Sequence, residues 1–288
     1  MNRLINNSVA ILTGALVAVG CGDGKKDPSD TKDKKTVITQ KGSDTMVLLA
    51  QRWAELFNGK NPGVDIQVSG GGSGTGIAAL INGTTEIANA SRPMKPDERD
   101  KVKAKSGSDV VEVAVARDGL AVYVHPANPV QQLSLAQLSD IYTGKITNWK
   151  DVGGKDAQII LYGRENSSGT YEYFKEHVLN KQDFVSTTQT LQGTAGIVDA
   201  VSKDENGIGY GGAAYTKGVV RDLKILNDKG EAIAPTKDNI ISGAYPLSRP
   251  LYFYLAQQPT GPIKAYIDWI LSPEGQAITT EMEYFPLQ

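Results

Sequence analysis

Cysteine and histidine are nearly absent from this chain of 288 residues, which contains one cysteine and two histidines. One cysteine excludes a framework of intrachain disulfides and any zinc site built on cysteines, and two histidines leave little for histidine-based metal chemistry. An excess of one charge is missing too, because 30 Lys and Arg residues face 32 Asp and Glu residues, a net charge of -2. Nucleic-acid binding calls for a strongly basic face, so we expect no nucleic-acid partner.

Long apolar runs are missing, except for one stretch near the amino terminus. Residues 9–19 are mostly apolar and follow the single early charge of Arg3, a pattern that predicts a signal peptide over residues 1–20. The stretch is shorter than the ~20 apolar residues of a membrane-spanning helix. It ends in Ala18-Val19-Gly20-Cys21, which resembles the lipidation motif of bacterial lipoproteins. We therefore expect a lipid on Cys21; the alternative is an ordinary signal peptide followed by a free cysteine.

Large apolar residues are absent from residues 22–35, so this segment cannot pack against a core. We predict a flexible tether over residues 21–35 and a folded body that begins near Thr36 and works outside the cytoplasm. The length of the chain predicts about two domains. Within the body, short strand-like runs alternate with helical patterns, which predicts an α/β fold with a largely parallel sheet.

Glycine is abundant, with 31 residues, and it clusters in loops. Three loops, at residues 42–46, 70–76 and 163–170, each stand between a predicted strand and a predicted helix and are rich in Gly, Ser and Thr. The first residues of a helix present unpaired N–H groups and about half a positive charge, which favours a bound anion. Arg164 adds a planar guanidinium suited to a tetrahedral oxyanion.

Each loop alone is also consistent with ordinary helix capping and turn formation. Three similar loops, one of them with Arg164, favour a shared anion site. The glycines match neither a P-loop, because no Gly-Lys-Ser/Thr follows them, nor the spacing of the dinucleotide fingerprint. No serine lies in a Gly-x-Ser-x-Gly motif, so a serine hydrolase has little support. We expect no metal and no cofactor.

At these loops the sequence resembles the phosphate-binding lipoproteins of bacterial phosphate ABC importers, the PstS family, over nearly all of the body. The most specific match is Arg164-x-x-x-Ser168-Gly169-Thr170, which in that family clamps the phosphate. The Gly-x-Gly-Ser pattern at residues 70–73 implies that the hydroxyl of Ser73 is a ligand. In the first loop, Thr45 and the backbone N–H of Met46 match a Thr-Phe pair of the family, and Ser43 is a further donor.

A fourth match, Ala90-Ser91-Arg92-Pro93, includes a departure from the family. The best-known members carry Ser-Asp there, and that aspartate accepts the proton of bound phosphate; here Arg92 takes its place beside Ser91. Phosphate keeps a proton near neutral pH and sulfate does not, so an acceptor carboxylate favours phosphate. We predict that Asp44 is the acceptor; the alternative is an N-cap or an ion pair with Arg92 or Arg164.

The resemblance implies a periplasmic-binding-protein fold of two lobes, each a mostly parallel sheet flanked by helices, with two crossover hinge strands. Lobe 1 would comprise residues 36–116 and 245–288, and lobe 2 residues 117–244. The crossings are expected at Arg117-Asp118-Gly119 and at Gly243-Ala244. Ligand contacts on both lobes would give the closed state its extra affinity.

The function implied is that of a lipid-anchored extracytoplasmic solute-binding protein, which captures inorganic phosphate between its lobes and delivers it to an ABC permease. Such a protein is not an enzyme, and we expect a monomer. One alternative keeps the fold and binds sulfate or another tetrahedral oxyanion, which Arg92 would permit. An alternative from another class is a secreted phosphatase with a cleft serine or Asp44 as its nucleophile. The intact clamp from Arg164 to Thr170 disfavours a third, a surface adhesion or signalling protein that has lost transport.

Overall fold

The computed structural model describes residues 35–216 and 218–287, all within one compact unit, Lys35–Gln288. The predicted signal peptide, Cys21 and nearly all of the predicted tether lie outside the described residues. The strands that the structure describes are β1 (Thr36–Gly42), β2 (Val64–Ser69), β3 (Ile87–Ala90), β4 (Val111–Val124), β5 (Gln132–Ser134), β6 (Ile160–Arg164), β7 (Gln189–Leu191), β8 (Gly207–Gly212), β9 (Arg221–Asp222), β10 (Lys224–Leu226), β11 (Ala232–Ile233) and β12 (Ser248–Leu255).

The α-helices of the same residues stand between these strands and after the last of them. They are α1 (Val47–Lys60), α2 (Ser73–Asn82), α3 (Pro96–Ser106), α4 (Leu135–Tyr142), α5 (Gly169–His177), α6 (Gly193–Ser202), α7 (Lys237–Ile241), α8 (Gly261–Leu271) and α9 (Pro273–Glu281). None of the helices within residues 35–216 and 218–287 has the length and apolar character that crossing a membrane requires.

One mixed sheet of nine strands runs through the body in the order β2-β1-β3-β12-β4-β8-β6-β7, with β9 beside β4. The outer strands pair in parallel: β1 with β2 and β3, and β6 with β7 and β8. The central strands β12 and β4 run antiparallel to each other and to their neighbours. The α/β class is therefore confirmed, with parallel pairing confined to the two ends of the sheet. A small second sheet contains β11, β10 and β5.

Two large hydrophobic cores lie at the two ends of this sheet, and we call the parts around them lobe 1 and lobe 2. The lobe 1 core joins β1, β2 and β3 to α1, α8 and α9. Leu49, Trp53 and Phe57 recur every four residues on one face of α1, so all three are buried together. The lobe 2 core joins the second half of β4, β6 and β8 to α4 and α5, and it includes a stack of Phe174 on Tyr210.

The two lobes are joined by β4 and β12. At Arg117-Asp118-Gly119, where the sequence leads us to expect the first crossing, β4 continues without a break. Arg117 pairs with Phe285 by two backbone hydrogen bonds, and Asp118 lies opposite Arg249 in the β4–β12 register. The first half of β4 therefore pairs with β12 in lobe 1, and its second half with β8 in lobe 2.

The segment that leads into β12 packs with lobe 2. Tyr245 and Leu247 are buried in the lobe 2 core, and β12 begins at Ser248. Tyr245 also donates a hydrogen bond from its hydroxyl to the Leu120 carbonyl, 3.0 Å away, which ties this segment to β4. Both crossings are thus strands of the central sheet rather than separate linkers.

Candidate functional site

The three glycine-rich loops meet where the lobes touch, at the carboxyl ends of β1, β2 and β6. The N–H of Gly74, in the first turn of α2, donates across the lobes to the carbonyl oxygen of Ser167, 2.9 Å away. A Cβ at Gly72 would lie 2.4 Å from that same oxygen, and the φ of Gly72 is 90°. Glycine is therefore required there, both for the backbone conformation and for the close approach of the lobes.

Two threonine hydroxyls form a direct side-chain link between the first and third loops. Thr45 Oγ1, in the first loop, lies 2.9 Å from Thr170 Oγ1, in the first turn of α5. Both side chains are buried. Ser43 is buried as well, and its Oγ has no hydrogen-bond partner among the described residues. The sequence-predicted ligands Ser43, Thr45 and Thr170 thus place hydroxyl groups inside the junction of the lobes.

The first residues of α1, α2 and α5 present polar atoms at the junction of the lobes, where they could bind an anion. The structure confirms that α1 begins at Val47, whereas α2 and α5 begin at Ser73 and Gly169, slightly earlier than the pattern predicts. Ser168 is the N-cap of α5, and its Oγ accepts from the N–H groups of Thr170 and Tyr171, at 3.2 and 3.3 Å. Because Oγ acts there as an acceptor, the hydroxyl hydrogen can still donate to another oxygen.

Ser73 and Ser91 lie against Gly169. Their Oγ atoms are 3.3 Å apart, and the N–H of Ser91 donates to Ser73 Oγ at 3.1 Å. A Cβ at Gly169 would lie 2.3 Å from Ser73 Oγ and 2.8 Å from Ser91 Oγ. Only a glycine therefore lets the start of α5 approach the two serines. The structure thus brings these three predicted site residues together across the lobes.

Arg164 lies at the end of β6 and is buried among carboxylates. Its Nη2 donates to Asp44 Oδ2, 3.0 Å away across the lobes, and to Glu165 Oε1, also at 3.0 Å. Nε donates to Glu165 Oε2 at 3.1 Å, and Nη1 to Thr194 Oγ1 at 3.0 Å. Burial raises the pKa of Glu165, but the hydrogen bond and charge of Arg164 outweigh burial and hold this pKa below its ordinary value. The guanidinium is thereby fixed in orientation.

Asp44 links all three loops. Its Oδ1 accepts the N–H of Gly71 at 2.8 Å, its Oδ2 accepts from Arg164, and its backbone carbonyl accepts the hydroxyl of Tyr215 at 2.8 Å. Of the alternatives that the sequence leaves open, the structure contains the ion pair with Arg164. The carboxylate also lies among the predicted ligand residues, as a proton acceptor must.

Two predicted site residues are engaged elsewhere. Both ends of the Arg92 guanidinium donate to Glu98, Nη1 to Oε2 at 2.8 Å and Nη2 to Oε1 at 2.7 Å, and Nη1 also bonds the Pro93 carbonyl. The N–H of Met46 donates to the Ser43 carbonyl at 3.0 Å within the turn that starts α1. Arg92 therefore forms a bidentate ion pair with α3, and the Met46 N–H closes a local turn.

Sequence reasoning missed a second buried arginine beside Thr170. Arg249 Nη2 donates to Thr170 Oγ1, 2.9 Å away, and to Asp118 Oδ2 at 2.8 Å. The signal was present, because Arg249 is a charged residue within the apolar run from Leu247 to Leu255. A charge in an otherwise buried strand needs a specific partner.

The buried arginines at these loops are all balanced by acids. Arg92 pairs with Glu98, Arg164 with Asp44 and Glu165, and Arg249 with Asp118. Counted over these residues, carboxylates outnumber guanidiniums, so the junction offers an anion no excess positive charge. What it offers is a set of hydroxyl and amide donors at helix starts, held in place by the ion pairs.

Known proteins similar to this chain include bacterial phosphate-binding proteins. A model of the PBP superfamily domain matches residues 28–274. The phosphate-binding protein PstS of Pseudomonas aeruginosa is 35% identical over 267 residues, which cover 87% of this chain and 83% of that protein. The phosphate-binding protein PstS of Staphylococcus epidermidis is 34% identical over 274 residues, with 92% of this chain and 83% of that protein covered.

Solved structures agree with these relatives. The substrate-binding protein of a phosphate ABC transporter from Clostridium perfringens, solved with bound phosphate, is similar with a TM-score of 0.80 and 35% identity; the match covers 88% of this chain and 100% of that one. An ABC-type phosphate transport receptor from Vibrio cholerae is similar with a TM-score of 0.71 and 30% identity, over 86% of this chain and 99% of that one.

Proposed function

Since the chain belongs to the PBP superfamily and, within it, to the family of phosphate-binding PstS proteins, we propose that it captures inorganic phosphate outside the cytoplasm and delivers it to an ABC importer. The observation that carries the proposal is the junction of Thr45 and Thr170, 2.9 Å apart at the meeting point of three helix-initiating loops. A tetrahedral oxyanion between these loops would receive hydrogen bonds from both lobes at once.

The ligand residues that we propose are those whose donors lie at this junction. They are Ser43, Thr45, the backbone of Met46, Ser73, Ser91, Arg164, Ser168, Gly169 and Thr170. Arg92 is left out, because its guanidinium is held by Glu98. For the Met46 N–H to bind phosphate, its bond to the Ser43 carbonyl must open or be shared.

The hydrogen bonds available at such a site are sufficient for micromolar phosphate binding. Micromolar binding corresponds to about -8 kcal/mol. Hydrogen bonds to a charged group contribute roughly 1.5–3 kcal/mol each, so several donors exceed the requirement. The surplus offsets the cost of desolvating phosphate and of ordering the two lobes around it.

Asp44 is the group that we propose for discrimination between phosphate and sulfate. Its carboxylate lies 3.0 Å from the Arg164 guanidinium, the clamp of the family motif. A carboxylate there can accept the proton that phosphate retains near neutral pH, whereas it repels fully ionised sulfate. This role replaces that of the family aspartate at the position of Arg92.

Closure would occur about β4 and β12. We propose residues 36–116 and 245–288 as lobe 1 and residues 117–244 as lobe 2, with the packing of Tyr245 and Leu247 favouring a second boundary just after Leu247. The ion pair of Lys95 and Glu172, at 2.8 Å, joins the lobes at the rim of the junction. Phosphate that contacts both lobes stabilises the closed form over the open one.

A lipid on Cys21 and a tether over residues 21–35 would hold this binding protein at a bacterial membrane, as a monomer without catalytic activity. The amino-terminal sequence supports the anchor and the tether, and the relatives, which are binding proteins, support the non-enzymatic role. Expression of the full chain and of C21S in a bacterial host tests the anchor: the parent should partition into the membrane fraction and C21S into the soluble fraction. Hydrolysis of a chromogenic phosphate ester would contradict the non-enzymatic role.

Calorimetric titration tests the binding function directly. The purified protein is unfolded and refolded to remove bound anion, then titrated with phosphate and with sulfate at about pH 6 and about pH 8. We expect micromolar or tighter phosphate binding, with sulfate at least about a hundredfold weaker, a difference of about 2.7 kcal/mol. Equal binding of the two anions would mean a general oxyanion receptor, and no binding of either would refute the proposed site.

A further inference from the structure

A buried ion pair joins the two crossover strands beside the proposed phosphate site. Arg249 of β12 lies opposite Asp118 of β4 in the antiparallel register. Its Nε and Nη2 atoms both donate to Asp118 Oδ2, at 3.0 and 2.8 Å, and both side chains are only 1% exposed. The guanidinium also lies over the ring of Tyr173, 5.2 Å from its centroid. The orientation of Arg249 is therefore set from two sides.

The same guanidinium reaches the loops of both lobes through one hydroxyl. Arg249 Nη2 donates to Thr170 Oγ1 at 2.9 Å, and Thr170 Oγ1 is in turn 2.9 Å from Thr45 Oγ1. An anion oxygen that bonds to the Thr170 hydroxyl therefore lies close to the positive charge of Arg249. These two hydrogen bonds connect Arg249 of β12 with Thr170 of lobe 2, and Thr170 with Thr45 of lobe 1.

Arg249 has one further hydrogen-bond donor group that is not used within the described residues. Its Nη1 is buried and has no hydrogen-bond partner within residues 35–216 and 218–287. A buried charged donor without an acceptor is costly, so such a group in a native protein calls for an explanation. Arg164 differs from Arg249 here, because all three of its guanidinium nitrogens have partners; Arg92 has partners on both terminal nitrogens and leaves Nε without one among the described residues.

We propose that Arg249 is a second arginine of the phosphate site, which donates to the bound anion beside Thr170, and that Asp118 is the residue that positions it. The inference rests on the proposed function and adds a residue of the hinge to the three loops. A guanidinium is suited to the role because its planar N–H groups match oxyanion geometry. Asp118 balances the charge, which permits Arg249 to stay buried without the ligand.

The arrangement also explains why the arginine stands on a crossover strand. Arg249 and Asp118 are the residues at which β4 and β12 pass between the lobes. An anion held there contacts lobe 1, lobe 2 and the hinge together. Phosphate binding would thereby be coupled to the backbone segments about which closure takes place.

Calorimetric phosphate titration of three variants tests the proposal, with thermal melting of each ligand-free protein as the stability control. R249Q/D118N replaces the pair by two neutral amides, so no unpaired charge is left buried. R92Q/E98Q makes the same change in another buried arginine–carboxylate pair and is the matched control. R249K keeps the charge and an ion pair with Asp118 but loses the planar fork.

We expect R249Q/D118N to bind phosphate at least about thirtyfold more weakly than the parent, and R92Q/E98Q to stay within about threefold. R249K should lose about tenfold in affinity while its melting temperature stays near that of the parent, because an ammonium does not reproduce bidentate donation. If Arg249 only joined the hinge strands, R249K would bind like the parent.

Parent-like affinity in R249K, or affinity within about threefold in R249Q/D118N, would overturn the proposal while leaving the proposed function intact. Failure of the parent itself to bind phosphate would refute the proposed function, and the role of Arg249 with it. Equal losses of phosphate affinity in R249Q/D118N and R92Q/E98Q would also overturn the proposed role of Arg249, since a general loss of stability would then explain both.

Discussion

Asp44 and Arg164 form an ion pair across the two lobes, with Asp44 Oδ2 and Arg164 Nη2 3.0 Å apart. The arginine side chain is 1% exposed and the aspartate side chain 14%. The guanidinium that should clamp the ligand is thus already oriented by a carboxylate of the opposite lobe. On the proposed function, a bound phosphate would share Arg164 with Asp44. The proton of phosphate would then form a hydrogen bond to the Asp44 carboxylate instead of leaving two like charges in contact.

Replacement of Arg164 by alanine should abolish most of the binding. We expect R164A to lose about 2–5 kcal/mol of phosphate binding free energy, since it removes a charged donor and leaves Asp44 and Glu165 without their partner. Calorimetric titration measures the loss. The control is R52A, whose arginine pairs with Glu55 and Glu281 on the surface and should not matter. A loss below about threefold would remove Arg164 from the site.

Neutralisation of Asp44 should reduce selectivity more than affinity. In D44N the side-chain oxygen can still accept the Gly71 N–H, but the amide no longer attracts the phosphate proton and no longer repels sulfate. We expect the ratio of sulfate to phosphate dissociation constants to fall by at least about tenfold. E165Q, which alters the other carboxylate on Arg164, should keep the parent ratio. If E165Q changed the ratio and D44N did not, Glu165 would be the acceptor.

Arg92 should contribute to the stability of the fold and not to phosphate binding. In R92Q, Glu98 loses its bidentate partner while its side chain is only 15% exposed. We expect a loss of about 1–3 kcal/mol in the free energy of unfolding, measured in urea, and a phosphate affinity within about threefold of the parent. The double variant R92Q/E98Q should recover part of the lost stability. A tenfold or larger loss of affinity in R92Q, about 1.4 kcal/mol, would return Arg92 to the site.

A methyl group at Gly169 should prevent full closure. The added Cβ would lie 2.3 Å from Ser73 Oγ where the two lobes meet in this structure. We expect G169A to weaken phosphate binding by at least about tenfold, and to leave the melting temperature of the ligand-free protein nearly unchanged, since the clash arises only between the lobes. G59A is the matched control, because a Cβ at this glycine of α1 meets no atom within 4 Å. Parent-like affinity in G169A would show that the loops do not close as described.

Asp222 should make stability depend on pH. Burial raises the pKa of Asp222 from 3.8 to about 6, partly offset by a hydrogen bond from Thr216. Because the folded protein binds the proton more tightly than the unfolded chain, this carboxyl contributes stability that is fully present below about pH 4 and is lost as the pH rises through about 6. Urea unfolding of D222N should therefore show increasing stability relative to the parent across that range. A constant difference between the two proteins would contradict the shift.

Sequence alone identified the family, and the relatives confirm it at 35% identity. It also located the loops and the start of α1 correctly, because a strand, a glycine-rich loop and a helix start are neighbours along the chain. The Arg164 to Thr170 motif is likewise contiguous, so its residues stay together whatever the rest of the fold does. Local propensity and spacing were sufficient for these features.

Which charged side chains pair with one another was decided only by the tertiary structure. Asp44 and Arg164 are 120 residues apart in sequence, and Asp118 and Arg249 are 131 apart, so no local pattern selects either pair. The same holds for Arg117-Asp118-Gly119. Two charges and a glycine are unfavourable in a strand, yet pairing with Arg249 and Phe285 keeps β4 continuous through them. Charged groups acquire their roles from the groups that burial places beside them, and burial depends on the path of the whole chain.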